Sequence, residues 1–104
     1  MAEAPRGAAL VTGGARRIGR ALVRTCARAG YDVAIHCRQV DDDAQAAAAE
    51  VRSLGRKASL HPCDLRREAE TAPLVGEIEA ELGLVTLLVN SASVFEDDSF
   101  AEMN

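Results

Sequence analysis

Apolar positions along this chain follow two rhythms that alternate from one end to the other. Short continuous runs, Ala8-Ala9-Leu10-Val11, Tyr31-Asp32-Val33-Ala34-Ile35-His36, the weaker Lys57-Ala58-Ser59-Leu60-His61 and Val85-Thr86-Leu87-Leu88-Val89, read as strands; such runs suit strands buried on both faces. Helical spacing fills the intervals. One helix is expected from about Ile18 through Ala29, with Gly30 behind it as a C-cap. Asp41-Asp42-Asp43 opens a second, Ala-rich helix, its carboxylates at the positive end and Gly55 just past its last turn. A third covers roughly Glu68–Leu82 and closes at Gly83. Pro73 fits only if Thr71 caps a restarted helix and the proline lies in its first turn.

Alternating βαβαβαβ with short connections predicts an α/β doubly wound parallel sheet with right-handed crossovers. Val85–Val89 has the composition of a central strand, covered on both faces and paired on both edges. No later strand follows in the sequence, and an unpaired apolar edge is one that proteins avoid. Residues 1–104 are therefore expected to form the N-terminal portion of one larger dinucleotide-binding domain, with the remainder absent from this chain.

Composition narrows the partners. Hydrophobic residues make up 48% of 104 positions and aromatic ones 3%, which suits Ala-, Val- and Leu-rich strands under small-residue helices. A net charge of -4 gives no footprint for nucleic acid or an anionic membrane. No run reaches the ~20 apolar residues of a membrane span, and the first residues lack the apolar core of a signal peptide. Cys26, Cys37 and Cys63 are odd in number and have no metal-like spacing; they read as buried thiols in a cytoplasmic protein. Glu96-Asp97-Asp98 reads as a solvated loop before a helix start, not as a metal site.

Candidate chemistry concentrates in Thr12-Gly13-Gly14-Ala15-Arg16-Arg17-Ile18-Gly19, between the first strand and the first helix. A strand–turn–helix of this kind gathers backbone N–H groups and a positive helix end at one point, ready for a phosphate. Arg16 and Arg17 add full charges. The competing reading, a solvated helix start, is the weaker one because cations at a helix N-terminus are unfavourable without an anion. Gly14 and Gly19 have the separation of a P-loop, but Arg20 and Ala21 stand where Lys and Ser/Thr are needed, which excludes a nucleoside triphosphatase.

The turn matches the T-G-x-x-x-G-x-G pattern of the short-chain dehydrogenase/reductase family, and three further segments agree in order and spacing. Cys63-Asp64-Leu65 resembles the segment after the third strand whose aspartate contacts the adenine. Leu87-Leu88-Val89-Asn90-Ser91-Ala92-Ser93 resembles the N-N-A-G segment that lines the cofactor. Arg38 lies at the end of the second strand, where the ribose 2′ position is read. Two departures, Arg17 for the middle glycine and Ser93 at the end of the later motif, resemble the pteridine reductase branch. That likeness implies a Rossmann-type cofactor site in which Arg17 meets the nucleotide phosphates, with Ser93 and Phe95 against a pterin ring. The full set of implied cofactor contacts is Gly13, Arg16, Arg17, Ile18, Gly19, His36, Arg38, Asp64, Leu65, Asn90, Ser91, Ala92 and Ser93. Asp64 also reads as a turn or cap residue, though its register favours the adenine contact; Arg38 also reads as an ordinary loop arginine, and Phe95 as core or interface filling. His36 is expected as a partly buried strand residue beside the cofactor, and His61 as structural.

Charge selects the cofactor. NAD-dependent enzymes of this architecture place a carboxylate at the end of the second strand, where it repels a 2′-phosphate. Here that segment is His36-Cys37-Arg38-Gln39, and the acids begin at Asp41. Arg16, Arg17 and Arg38 converging on a dianion predict NADPH over NADH. The resemblance implies hydride transfer to a carbonyl or imine, with a pterin-like small-molecule substrate. The family's serine, tyrosine and lysine would come from the missing C-terminal portion of the same protein, and a homotetramer would form when it is complete. No catalytic residue is assigned within 1–104, which alone is expected to be inactive. Two alternatives stay open: a stand-alone, non-catalytic nucleotide-binding module, and a reductase of this family acting on a non-pterin carbonyl.

Overall fold

The computed structural model describes residues 5–15 and 17–91. The expectations for Arg16, Ala92, Ser93 and Phe95 lie outside them. Four parallel strands, β1 (Ala8–Thr12), β2 (Asp32–Cys37), β3 (Ala58–Pro62) and β4 (Val85–Asn90), form one sheet in the order β3-β2-β1-β4. Between them run α1 (Arg17–Arg28), α2 (Asp42–Ser53), a single turn α3 (Glu68–Thr71) and α4 (Leu74–Leu82). The doubly wound reading is correct for this part, each strand bound lying within a residue of its expected position. Among the described residues no helix is long and apolar enough to cross a membrane.

Two layers of apolar side chains sandwich the sheet. On one face Ala9, Val11, Val33 and Ile35 pack against Val23, Cys26 and Ala27 of α1 and Ala47, Ala48 and Val51 of α2. Alanines in α2 let the helices approach the sheet closely, and all of β1 and β2 is buried. Arg20 and Arg24 of α1 both bind the Glu50 carboxylate of α2, locking the two helices across their exposed flank. On the other face Ala8, Leu10 and Ala34 meet Leu74 and Ile78 of α4.

Two expectations are corrected. Thr71 does not cap the restarted helix: its hydroxyl donates back to the carbonyls of Arg67 and Glu68, ending α3. Pro73 itself holds the N-cap position of α4, a place where the missing N–H costs nothing and no side chain accepts. β4, read as a strand covered on both faces and expected here to lack its next neighbour, lies at an edge of the described sheet with that side unpaired, as expected, but without cover on both faces. Its residues alternate between half-buried and exposed, and Leu88 is 61% exposed. Cys26, Cys37 and Cys63 are buried free thiols, pushed up from their ordinary pKa by burial and hence inert.

Candidate functional site

Strand order reverses between β1 and β4: the chain winds outward from β1 through β2 to β3, then crosses back to β1's other side. Ligands of open α/β sheets bind outside the carboxyl ends of the strands at such a point. The turn Gly13-Gly14-Ala15 lies there, between the end of β1 and the start of α1. Gly13 adopts φ 65°, a left-handed backbone available to glycine without penalty. A Cβ on Gly19 would collide with the Gly13 carbonyl and lie 2.8 Å from Ser91 Oγ, so helix and turn touch backbone to backbone and the Ser91 side chain closes on the same point. Gly14 is closed in as well, with Val23 Cγ2 at 2.8 Å from its would-be Cβ.

Arg17 takes φ 54°, the one non-glycine left-handed residue among those described. It occupies the position of the pattern's middle glycine, so a backbone shape suited to glycine is kept while a guanidinium is added. Left-handed backbone costs a non-glycine residue about 1–2 kcal/mol, a penalty of the kind found at binding sites. Arg17 and Ile18 are exposed beside the turn, and the first turn of α1 carries no acid. A positive helix end with no acid in its first turn and an exposed arginine on it has the charge to attract an anion.

The end of β2 supplies the next wall. Arg38 is exposed directly after β2. The first carboxylate beyond it, Asp41, is the N-cap of α2, its Oδ1 accepting the Ala44 N–H at 2.9 Å. His36 is buried rather than partly buried. Its Nδ1 accepts the Gly13 N–H at 2.9 Å and its Nε2 donates to the Cys63 carbonyl at 2.9 Å.

Beyond β3, Asp64 stands at the same rim, and its carboxylate folds onto Arg66: Oδ1 accepts from the Arg66 backbone N–H at 3.0 Å and from Nε at 3.1 Å. These bonds hold its pKa down to about 2, so it is a fixed negative charge. This is the turn-residue role; the carboxylate also lies where an adenine contact is expected. Leu65 is half-buried against the α4 face. At the end of β4, the Thr12 hydroxyl donates to Asn90 Oδ1 at 2.9 Å, and just beyond it Ser91 Oγ donates to the Thr12 carbonyl. The structure thus brings Gly13, Arg17, Ile18, Gly19, His36, Arg38, Asp64, Leu65, Asn90 and Ser91 to one edge of the sheet. Sequence reasoning missed Thr12 as the tie between the turn and the segment after β4. A hydroxyl ending an otherwise apolar strand was the available signal.

Comparison with known proteins identifies the family. A family model described as short chain dehydrogenase matches residues 7–104. A short-chain dehydrogenase/reductase, eriH, of Hericium erinaceus is 38% identical over 96 residues, covering 88% of this chain and 37% of that protein. The 3-oxoacyl-[acyl-carrier-protein] reductase FabG of Aggregatibacter actinomycetemcomitans is 35% identical over 92 residues, covering 88% and 38%. The chain therefore spans somewhat more than a third of the length of these relatives. Among solved structures, FolM alternative dihydrofolate reductase 1 from Brucella suis, in complex with NADP, superposes with a TM-score of 0.76 at 41% identity, covering 86% of this chain and 36% of that one.

Proposed function

Since the chain belongs to the short-chain dehydrogenase/reductase family, we propose that residues 1–104 are the cofactor-binding part of an NADPH-dependent reductase acting on a carbonyl or imine. Gly13, Arg17, Ile18 and Gly19, with Arg16, would hold the diphosphate. Arg38 would take the 2′-phosphate, Asp64 and Leu65 the adenine, and Asn90 and Ser91, with Ala92 and Ser93, would line the rest. The bound dinucleotide supplies the hydride; the proton chemistry belongs to the remainder of the whole protein, which is expected to be a homo-oligomer.

One observation carries the choice of NADPH. The end of β2 presents Arg38, and the nearest following acid, Asp41, is engaged in capping α2. A 2′-phosphate would meet a cation where an NAD enzyme presents a carboxylate. Charge-assisted bonds of this kind contribute about 1.5–3 kcal/mol, so titration of the whole protein is expected to give NADPH at least a tenfold affinity advantage over NADH, roughly the lower end of that range. Equal dissociation constants would overturn the assignment.

A pterin-like substrate is the favoured reading. It is supported by Arg17 in the turn and by the likeness to a protein named as an alternative dihydrofolate reductase that holds NADP. The similarity to a 3-oxoacyl reductase favours a second reading, an acyl thioester substrate. Turnover of a dihydropteridine by the whole protein supports the first. Its absence together with turnover of a 3-oxoacyl thioester would remove the pterin reading and leave the reductase.

A further inference from the structure

His36 joins three hydrogen bonds at the site end of the sheet, and the two at its ring leave no freedom in how it is protonated. The Gly13 backbone nitrogen is a donor only, so the Nδ1 it addresses at 2.9 Å carries no proton. The Cys63 carbonyl is an acceptor only, so the Nε2 at 2.9 Å carries one. The ring is neutral in a single tautomer, and it is buried. The backbone of the same residue adds a third bond, its carbonyl accepting the Gly14 N–H at 3.0 Å. One residue on β2 thus grips two successive amides of the glycine turn and, through its ring, the segment that leads into Asp64. Cys63 is held on its other side by its own N–H to the Cys37 carbonyl at 3.0 Å.

We propose that His36 is a positioning residue: its neutral imidazole couples the phosphate-binding turn to the adenine-side segment, and protonation of the ring breaks that coupling and weakens nucleotide binding. This rests on reading the turn as the nucleotide site. A second ring proton would have to sit on Nδ1, placing a donor against the Gly13 donor. The bond at Gly13 would be lost, and the amide would swing at the position where a diphosphate oxygen is expected. The remaining bond, to Cys63, would survive. Protonation therefore releases the turn selectively and leaves the adenine side in place.

The surroundings favour the neutral ring. Burial lowers the pKa of His36, opposed by the Cys63 carbonyl and by the charge of Asp64. Asp64 is itself tied to Arg66, with Arg38 contributing. β3 brings His61, which interacts electrostatically with His36 and is itself held neutral by burial against Glu81 and Glu77 of α4. The thiols of Cys37 and Cys63 are neutral, and β1 brings no ionisable side chain. The ring is thus harder to protonate than an ordinary imidazole of pKa 6.5, and the neutral form is favoured at and above that value.

Two measurements on the whole protein test this separately from cofactor choice. In ligand-free protein, 15N NMR should find His36 Nδ1 unprotonated and Nε2 protonated at pH 7.5. The Gly13 amide should then shift with the midpoint of the His36 ring as pH falls. A protonated Nδ1 at pH 7.5, or a Gly13 amide indifferent to that titration, overturns the proposal whether or not the protein binds NADPH. NADPH titrations then compare wild type with His36→Asn, which offers an acceptor near Gly13 and no titrating ring, and His36→Phe, which offers neither bond. A 2′-phosphate also titrates near pH 6, so the difference between wild type and His36→Asn isolates the histidine. Wild type should lose roughly tenfold more affinity than His36→Asn between pH 7.5 and pH 5, the magnitude of one buried donor left unpaired. Parallel pH profiles would overturn the proposal. His36→Phe should bind weakly at every pH; if it fails to fold, the His36→Asn profile and the NMR titration decide alone. No NADPH binding by folded wild type would refute the nucleotide reading instead, with the NMR result still standing on its own.

Discussion

The two ends of this sheet treat charge in opposite ways. At the end where β1 and β2 begin, every charged group named is answered by the chain itself. Buried Asp32 accepts the Lys57 N–H at 2.9 Å and lies 4.0 Å from Arg56 Nε. Arg56 donates to the Gly30 carbonyl at 3.2 Å, and Arg6 stacks 5.4 Å over the Tyr31 ring while donating to the Ala29 carbonyl. At the other end, Arg17 stands at φ 54° at the start of a helix whose first turn carries no acid, and Arg38 follows β2 exposed. Both ends are rich in arginine, so composition does not separate them. Geometry does: one set of charges serves folding, and the other is held out at a cost in local backbone energy.

Breaking the self-satisfied end should give the largest effect on stability and none on affinity. Asp32→Ala removes the carboxylate from Arg56, whose side chain is 9% exposed, and strips the Lys57 N–H of its acceptor. Removing one partner of a buried pair typically costs about 3 kcal/mol. Chemical denaturation should show that loss, with the NADPH dissociation constant of the still-folded fraction unchanged. A folded Asp32→Ala protein with normal stability would erase the distinction between the ends.

At the site end, one substitution should move stability and binding in opposite directions. Arg17→Gly relieves a left-handed residue, which should raise stability by about 1 kcal/mol after the greater chain entropy of glycine is counted. It also removes a cation from the phosphate position, lowering NADPH affinity by about tenfold, the weight of one charged hydrogen bond. Parallel denaturation and titration experiments read both. Arg17→Ala provides the control: it loses the charge without relieving the backbone, so its affinity should fall and its stability should not rise. Equal stability of the glycine and alanine variants would show that the φ angle at Arg17 carries no strain worth releasing.

The sheet was legible because its strands are short continuous apolar runs between glycine-marked helices, a pattern in which local preference and tertiary burial agree. The glycine turn after β1 was legible because its glycines and arginines sit between one such run and a helix. Three features were hidden for physical reasons. Pro73 has two acceptable places at a helix start, and tertiary packing of Leu74 and Ile78 chose between them. The role of Thr12 depends on Asn90, 78 positions away, which no local pattern reports. His36 looked like a strand residue beside a ligand because it ends the apolar run of β2, while its two ring bonds reach loops 23 and 27 positions distant. Pattern locates elements; it does not reveal which polar groups meet where strands end.

The smallest expected effect sharpens the comparison through pH. His36 at the site end and His61 beneath α4 are both lowered from the ordinary value of 6.5, chiefly by burial. The unfolded chain then binds protons that the folded chain refuses, so stability rises with pH across this window. The contribution is complete above about pH 6.5 and declines as pH falls from there through the folded values. The lowered carboxylates, Asp64 and Glu50, act in a different window: they stabilise above their unfolded values and lose that contribution only at more acid pH. Thermal melts in small pH steps should therefore show a first decline beginning near pH 6.5 and a second below about pH 4. His61→Asn should shrink the first decline without altering the pH dependence of NADPH binding, because its ring bonds Ser59 of its own strand, whereas His36, its register partner on β2, is the ring that bonds the turn. His36→Asn should shrink the first decline and flatten the binding profile as well. If His61→Asn flattened the binding profile too, the coupling to the turn would belong to the general charge of the strand ends, and His36 would lose its particular place.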